Sequence, residues 1–166
     1  MHIGFQNQDT GLWSTGNGWA AAGTTRVLAT FLKSPFAQQL VGSTQAVGLT
    51  GYIKEILDGA MSSPMSFGLL RNYDTSGDGR GFPEISGSLL LASVAYRLAV
   101  LRPDVFASFP SSNSSNSTSS NSTYIFWADN IRAVLGAYDA SGKLHIIKTG
   151  IATPAVDPLN WRDTMP

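Results

Sequence analysis

Two indoles and three glycines crowd the stretch Gly11-Leu12-Trp13-Ser14-Thr15-Gly16-Asn17-Gly18-Trp19, which runs directly into the small residues Ala20-Ala21-Ala22-Gly23. Glycine lets a backbone come close to a ligand. An indole offers a flat apolar face with one N–H, which suits the face of a pyranose ring. Asn17 carries both a donor and an acceptor for a pair of hydroxyls, and Thr15 stands between the two indoles. The same residues also fit a plainer role, with both tryptophans in a core and Asn17 capping a helix that begins near Gly18.

Glu84 and Ser86 form a second candidate pair, at the start of the run Gly87-Ser88-Leu89-Leu90-Leu91-Ala92. An acid there can contact a substrate or gain from the positive end of a helix dipole. Glycoside hydrolysis ordinarily uses two carboxylates facing each other across a bond. Asp9, Asp74, Asp78 and Glu84 lie near expected loops, but no spacing selects a pair, and no catalytic residue is assigned. Asp74-Thr75-Ser76-Gly77-Asp78-Gly79 places oxygen ligands as a calcium loop does, yet Ile85 stands where the closing glutamate belongs. A solvated turn is the better reading, and no metal or cofactor is expected. The only histidines are His2 and His145, the latter in an alternating strip, and no Gly-x-Ser-x-Gly elbow accompanies them. The Gly16-Asn17-Gly18 turn lacks the later glycine and lysine of a phosphate-binding loop.

Helices must position these residues. Trp19 to Leu32 and Ser86 to Leu101 are apolar or small nearly all round, which predicts helices buried on most sides. Thr44 to Met61 carries Leu49, Tyr52, Ile53, Ile56, Leu57 and Ala60 at helical spacing, with Lys54, Glu55 and Asp58 opposite. Tyr124 to Tyr138 repeats that pattern with Trp127, Ile131, Val134, Leu135 and Tyr138. Both predict one-faced helices. The order is therefore buried, surface, buried, surface. Gly11-Leu12-Trp13 before the first buried helix is echoed by Gly68-Leu69-Leu70-Arg71-Asn72-Tyr73 before the second, and Gly142-Lys143-Leu144-His145 opens a third such unit. Inner helices of such units are covered only when neighbours close around them.

At 166 residues the chain fits one domain. Lys plus Arg equals Asp plus Glu at 11 each, and 13% of residues are charged, so no footprint for nucleic acid or an anionic membrane is present. The absence of cysteine excludes a disulfide framework and thiolate zinc sites. Met1-His2-Ile3-Gly4-Phe5 has neither the basic start nor the apolar stretch of a signal peptide, and no apolar run approaches the roughly 20 residues of a membrane span. Residues 111–123 form a Ser/Asn-rich low-complexity loop with sequons at Asn113, Asn116 and Asn121, glycan sites if the chain is secreted.

Three segments carry a resemblance to a known family. Thr10-Gly11-Leu12-Trp13-Ser14-Thr15-Gly16-Asn17-Gly18-Trp19-Ala20-Ala21-Ala22-Gly23 with Arg26-Val27-Leu28 is similar to the tryptophan, glycine, asparagine, glycine, tryptophan loop of six-hairpin glycosidases, specifically the fungal relatives of unsaturated rhamnogalacturonyl hydrolases. Glu84-Ile85-Ser86-Gly87-Ser88-Leu89 with Ala95-Tyr96-Arg97 resembles the start of a later inner helix, and Val156-Asp157-Pro158-Leu159-Asn160-Trp161 looks like the strip before the final hairpin. The resemblance implies an all-α fold, a partial (α/α)6 toroid corresponding to the family's C-terminal half. It also implies secretion of the full-length family and a pectin-derived, unsaturated uronyl oligosaccharide, hydrated at its double bond with an aspartate moving protons. That aspartate would precede the tryptophan loop, outside this chain, so a non-catalytic sugar-binding remnant or fragment is the alternative. The loop departs from the bacterial pattern at Thr15, where an arginine is common. The implied substrate contacts are Trp13, Thr15, Asn17, Trp19, Glu84 and Ser86, and the uncovered inner helices imply self-association.

Overall fold

The computed structural model describes residues 11–73, 81, 83–107, 123–135, 147–148 and 151–152. Helix α1 spans Ser14–Lys33, α2 Ala37–Leu40, α3 Thr44–Ser62, α4 Ile85–Leu101, α5 Pro103–Phe106 and α6 Thr123–Leu135. Two short hairpins complete the described elements: β1 (Met65–Ser66) with β2 (Leu69–Leu70), and β3 (Ile147–Lys148) with β4 (Ile151–Ala152). The fold is predominantly helical, as expected. Asp9, Asp74, Asp78, His2, His145, Gly142, the three sequons and the Val156–Trp161 strip lie outside the described residues.

Helix α4 is the centre. It packs against α1 on one side and α6 on the other, with α5 and β2 at its two ends. Its buried residues Gly87, Ser88, Leu91, Ala92, Val94, Ala95 and Leu98 cover more than one face, which agrees with its all-round apolar sequence. A leucine fully buried there, such as Leu98, contributes about 1.5–3 kcal/mol over an exposed one. The α1 and α4 N-termini meet, so these two helices run parallel. Helix α3 packs against α1 and returns antiparallel to it; α6 lies along α4. Tyr124 at the start of α6 donates to Asp58 of α3 at 2.5 Å and stacks edge-on against Phe106. Helix α3 thus backs α1 and α6 backs α4, with Tyr124 linking the two.

Helix α1 corrects one expectation. Only Ser14, Gly18, Ala21, Thr25 and Leu28 are buried, a single stripe. Trp19, Ala20, Gly23, Arg26 and Val27 are exposed. Alanine, glycine and threonine are too small and too neutral to fix burial by themselves, and the layer on that side ends at α1. On α3, Ala46, Thr50, Ile53 and Leu57 are buried and Leu49, Ile56 and Ala60 pack against the same core, as the spacing predicts, while Tyr52 is 66% exposed. The helix is bounded by Ser43, whose hydroxyl accepts from the Ala46 amide at 3.2 Å, and by Pro64 after its C-cap Ser63. In the β1–β2 hairpin Phe67 and Gly68 both take positive φ (50° and 78°), the geometry of a tight two-residue turn. A β-carbon on Gly68 would lie 2.4 Å from Val134 Cγ2, so close approach of α6 adds a second demand for glycine there.

Candidate functional site

The two sequence-related rims meet face to face at the amino ends of α1 and α4. Trp13 forms an antiparallel bridge with Tyr73, and its indole N–H donates to Asn72 Oδ1 at 3.0 Å. The Ser14 amide donates to the Asn72 carbonyl at 3.0 Å. The Ser14 hydroxyl donates to the Arg71 carbonyl at 2.5 Å, with the Asn72 carbonyl at 3.2 Å. Trp13 makes no side-chain cap to α1. A neighbouring strip thus satisfies the first amide, and the helix starts at Ser14 rather than near Gly18. Asn17 is therefore inside the helix, its amide donating to the Trp13 carbonyl at 3.0 Å, and the capping role expected for it is overturned.

Helix α4 opens differently. Glu84 is buried and accepts from the Ser86 amide at 2.8 Å and the Gly87 amide at 2.6 Å. Its own amide donates to the Leu70 carbonyl at 2.8 Å, and its carbonyl accepts from the Ser88 hydroxyl at 2.6 Å. The carboxylate serves the helix start, the dipole role that its position allowed. Where the helices cross, a β-carbon on Gly87 would lie 2.5 Å from the Ser14 carbonyl carbon and 2.7 Å from the Thr15 nitrogen. One on Gly18 would lie 2.9 Å from Leu90 Cβ. Backbone against backbone is what these glycines permit.

The candidate residues end up on different sides of this crossing. Successive helical residues turn by about 100°, so Asn17 and Trp19 point roughly 160° apart around α1. Asn17 lines a cleft of about 450 Å³ between α1 and the carboxyl half of α3, together with Leu12, Ser14, Glu55 and Arg71. Trp19, 63% exposed, occupies the free side of α1, away from α3. Thr15 shares that side by helical phase, and Ser86, partly exposed, flanks it on α4. Trp13 is half-buried and fixed between the two regions by Asn72. Neither indole is sealed in the core, and α1 and α4 are neighbours.

Arg71, Asn72 and Glu55 were not singled out by sequence. The rim repeat held a signal for the first two, since Arg71-Asn72 occupies in the second rim the place next to which Trp13 sits in the first. Glu55 looks like any residue of a solvated helix face. The fold shifts the protonation of Asp58 on α3 and of Tyr96 on α4. The Asp58 carboxyl is pushed up by burial but lowered overall by hydrogen bonds from Lys54 and Tyr124. Burial and the Asp129 carboxylate raise the Tyr96 phenol. Among the described residues no cluster of potential metal ligands occurs, and no helix is long and apolar enough to cross a membrane. Comparison with protein-family models, curated proteins and solved structures finds no match to this chain.

Proposed function

We propose that the chain binds a pectin-derived oligosaccharide bearing an unsaturated uronyl residue on the free side of the α1/α4 pair, at its amino-terminal end. The observation that carries this reading is Trp19, an indole 63% exposed on the side that Thr15 and Ser86 share by helical phase, rather than packed away. A sugar face stacks on such a ring, and the hydroxyls of Thr15 and Ser86 supply its polar edge. Electrostatics favour the single uronate charge. Arg26 and Arg97 are exposed along the same side by helical phase, and neither α1 nor α4 contains an acid. In this reading the two hairpins α1/α3 and α4/α6 are part of an (α/α)6 toroid, with α1 and α4 as inner helices, and the chain is related to glycoside hydrolases that hydrate the sugar double bond. The free side is also where a second copy would associate.

Sugar binding without turnover is the second reading, and Glu84 favours it: the acid at the rim is already committed to two backbone amides. One titration separates the possibilities. Unsaturated rhamnogalacturonan disaccharide should quench or shift tryptophan emission saturably, with affinity reduced at least about tenfold in Trp19→Ala, the loss of one good stacking contact. Loss of the double-bond absorbance over time identifies the hydrolase; binding with constant absorbance identifies the binding protein. Equal affinity of wild type and Trp19→Ala sinks the site itself.

A further inference from the structure

The cleft on the opposite side of α1 has walls that differ in character from the saccharide face. Its floor is apolar: Ile56 and Ala60 of α3, Leu70 of β2 and Leu91 of α4. At about 450 Å³ it falls within the range of small-molecule sites. The hydroxyl protons around it are already used. Ser14 donates to the Arg71 carbonyl, Ser62 to the Asp58 carbonyl at 2.8 Å and Ser63 to the Gly59 carbonyl at 2.9 Å. Ser14 and Ser62 therefore meet a ligand as acceptors only. Side-chain donors come from Asn17 and from the guanidinium of Arg71, whose Nε is directed to the Gly81 carbonyl at 3.0 Å and so fixes the group at the rim. Among the described residues the carboxylate in the lining belongs to Glu55, on the α3 wall.

Charge is thus segregated across an apolar floor. The α1 side carries Arg71 and Asn17 next to the positive end of a 20-residue helix; the α3 side carries Glu55 and the acceptor oxygens near the negative end of a 19-residue helix. We infer that this cleft takes a small zwitterion with an apolar body, of the size of a dipeptide with aliphatic side chains. Its carboxylate lies toward Arg71 and Asn17, its ammonium toward Glu55 and the α3 carboxyl end, and its side chains lie on Leu70, Leu91 and Ile56. A uronyl sugar does not suit these walls, because it brings a carboxylate and hydroxyls but no cation for Glu55.

Gly59 supplies a test that keeps the fold intact. It lines the cleft, and a β-carbon there meets nothing within 4 Å, so Gly59→Leu fills the space and replaces a helical glycine by a better helix former. Leucyl-leucine should bind saturably to the whole chain by calorimetry, lose binding in Gly59→Leu without loss of melting temperature, and be unaffected by Trp19→Ala. N-acetylation of the dipeptide or Glu55→Gln should each weaken binding about tenfold, the loss of one charge-assisted contact. Three results overturn the inference: no saturable binding of leucyl-leucine, equal binding of its N-acetyl form, or undiminished binding to Gly59→Leu. Because Trp19→Ala leaves this cleft untouched, failure here and failure of the saccharide site are read separately.

Discussion

Helices α1 and α4 lie side by side and start at the same end of the molecule, yet one closes its own amino terminus and the other borrows its closure. Glu84 holds two amides of α4 with its carboxylate. Helix α1 has no side-chain cap and depends on the Asn72 carbonyl, which belongs to the strip leading to α4. The same asymmetry runs along their lengths. Helix α4 is covered on several faces and is tied to α6 by Tyr96 and to its surroundings by Arg102, whereas α1 leaves a whole side open around Trp19. The lesson is that α4 is the frame and α1 the mounted part. Both proposed binding surfaces sit on the flanks of the mounted helix, where backbone and side chains are held by contacts that do not fill the space around them.

The strongest way to break this relation is to push the helices apart at their crossing. In Gly87→Ala the new methyl would have to occupy space 2.5–2.7 Å from the backbone of Ser14 and Thr15, none of which is a flexible side chain. We expect a loss of about 3 kcal/mol, at the upper end for overpacking a tight contact, with both rims displaced. Urea unfolding measures it. A variant as stable as wild type would show that the crossing can relax cheaply and that the rims are not fixed by it.

How much of this was legible in the sequence depends on how strongly each residue commits to an environment. The one-faced helices α3 and α6 were readable because leucine, isoleucine and tryptophan at helical spacing leave little choice of face, although Tyr52, with a polar tip, was misassigned to the buried side of α3, and Tyr138 of the α6 stripe lies outside the described residues. The start of α4 followed from Glu84, an acid where the helix dipole favours one. The open side of α1 was not readable: Ala20, Gly23 and Thr30 fit a core and a surface equally. Nor was the start of α1, since the group that replaces its cap is the Asn72 carbonyl, far along the chain. The cleft was invisible for the same reason. Asn17, Glu55 and Arg71 come from three separate elements, and only the packing of α3 against α1 brings them together.

The borrowed and self-made starts can be compared directly. Glu84→Ala removes the acceptor of two amides at a buried site and should cost about 2 kcal/mol, near the top of the range for helix caps. Ser14→Ala removes only the hydroxyl bond to the Arg71 carbonyl and keeps the amide bond to Asn72, so about 1 kcal/mol is expected. The two denaturation midpoints decide the matter. If Ser14→Ala proves the more damaging, α1 rather than α4 is the frame.

The smallest effect concerns the tie between α4 and α6, and it has a pH signature. The Tyr96 hydroxyl donates to Asp129 Oδ1 at 2.6 Å. Burial and then the neighbouring carboxylate raise the phenol's pKa above its ordinary value near 10. A group whose folded pKa is raised adds stability below its unfolded pKa and loses it as pH climbs through the folded one. Tyr96→Phe should therefore cost about 1 kcal/mol at neutral pH, and the gap to wild type should close above about pH 10, as the wild-type phenol gives up its proton. Urea midpoints taken across the alkaline range test this. A gap that stays constant with pH would mean that Tyr96 supports α4 through its ring contacts alone, and that the frame is held to α6 by packing rather than by this proton.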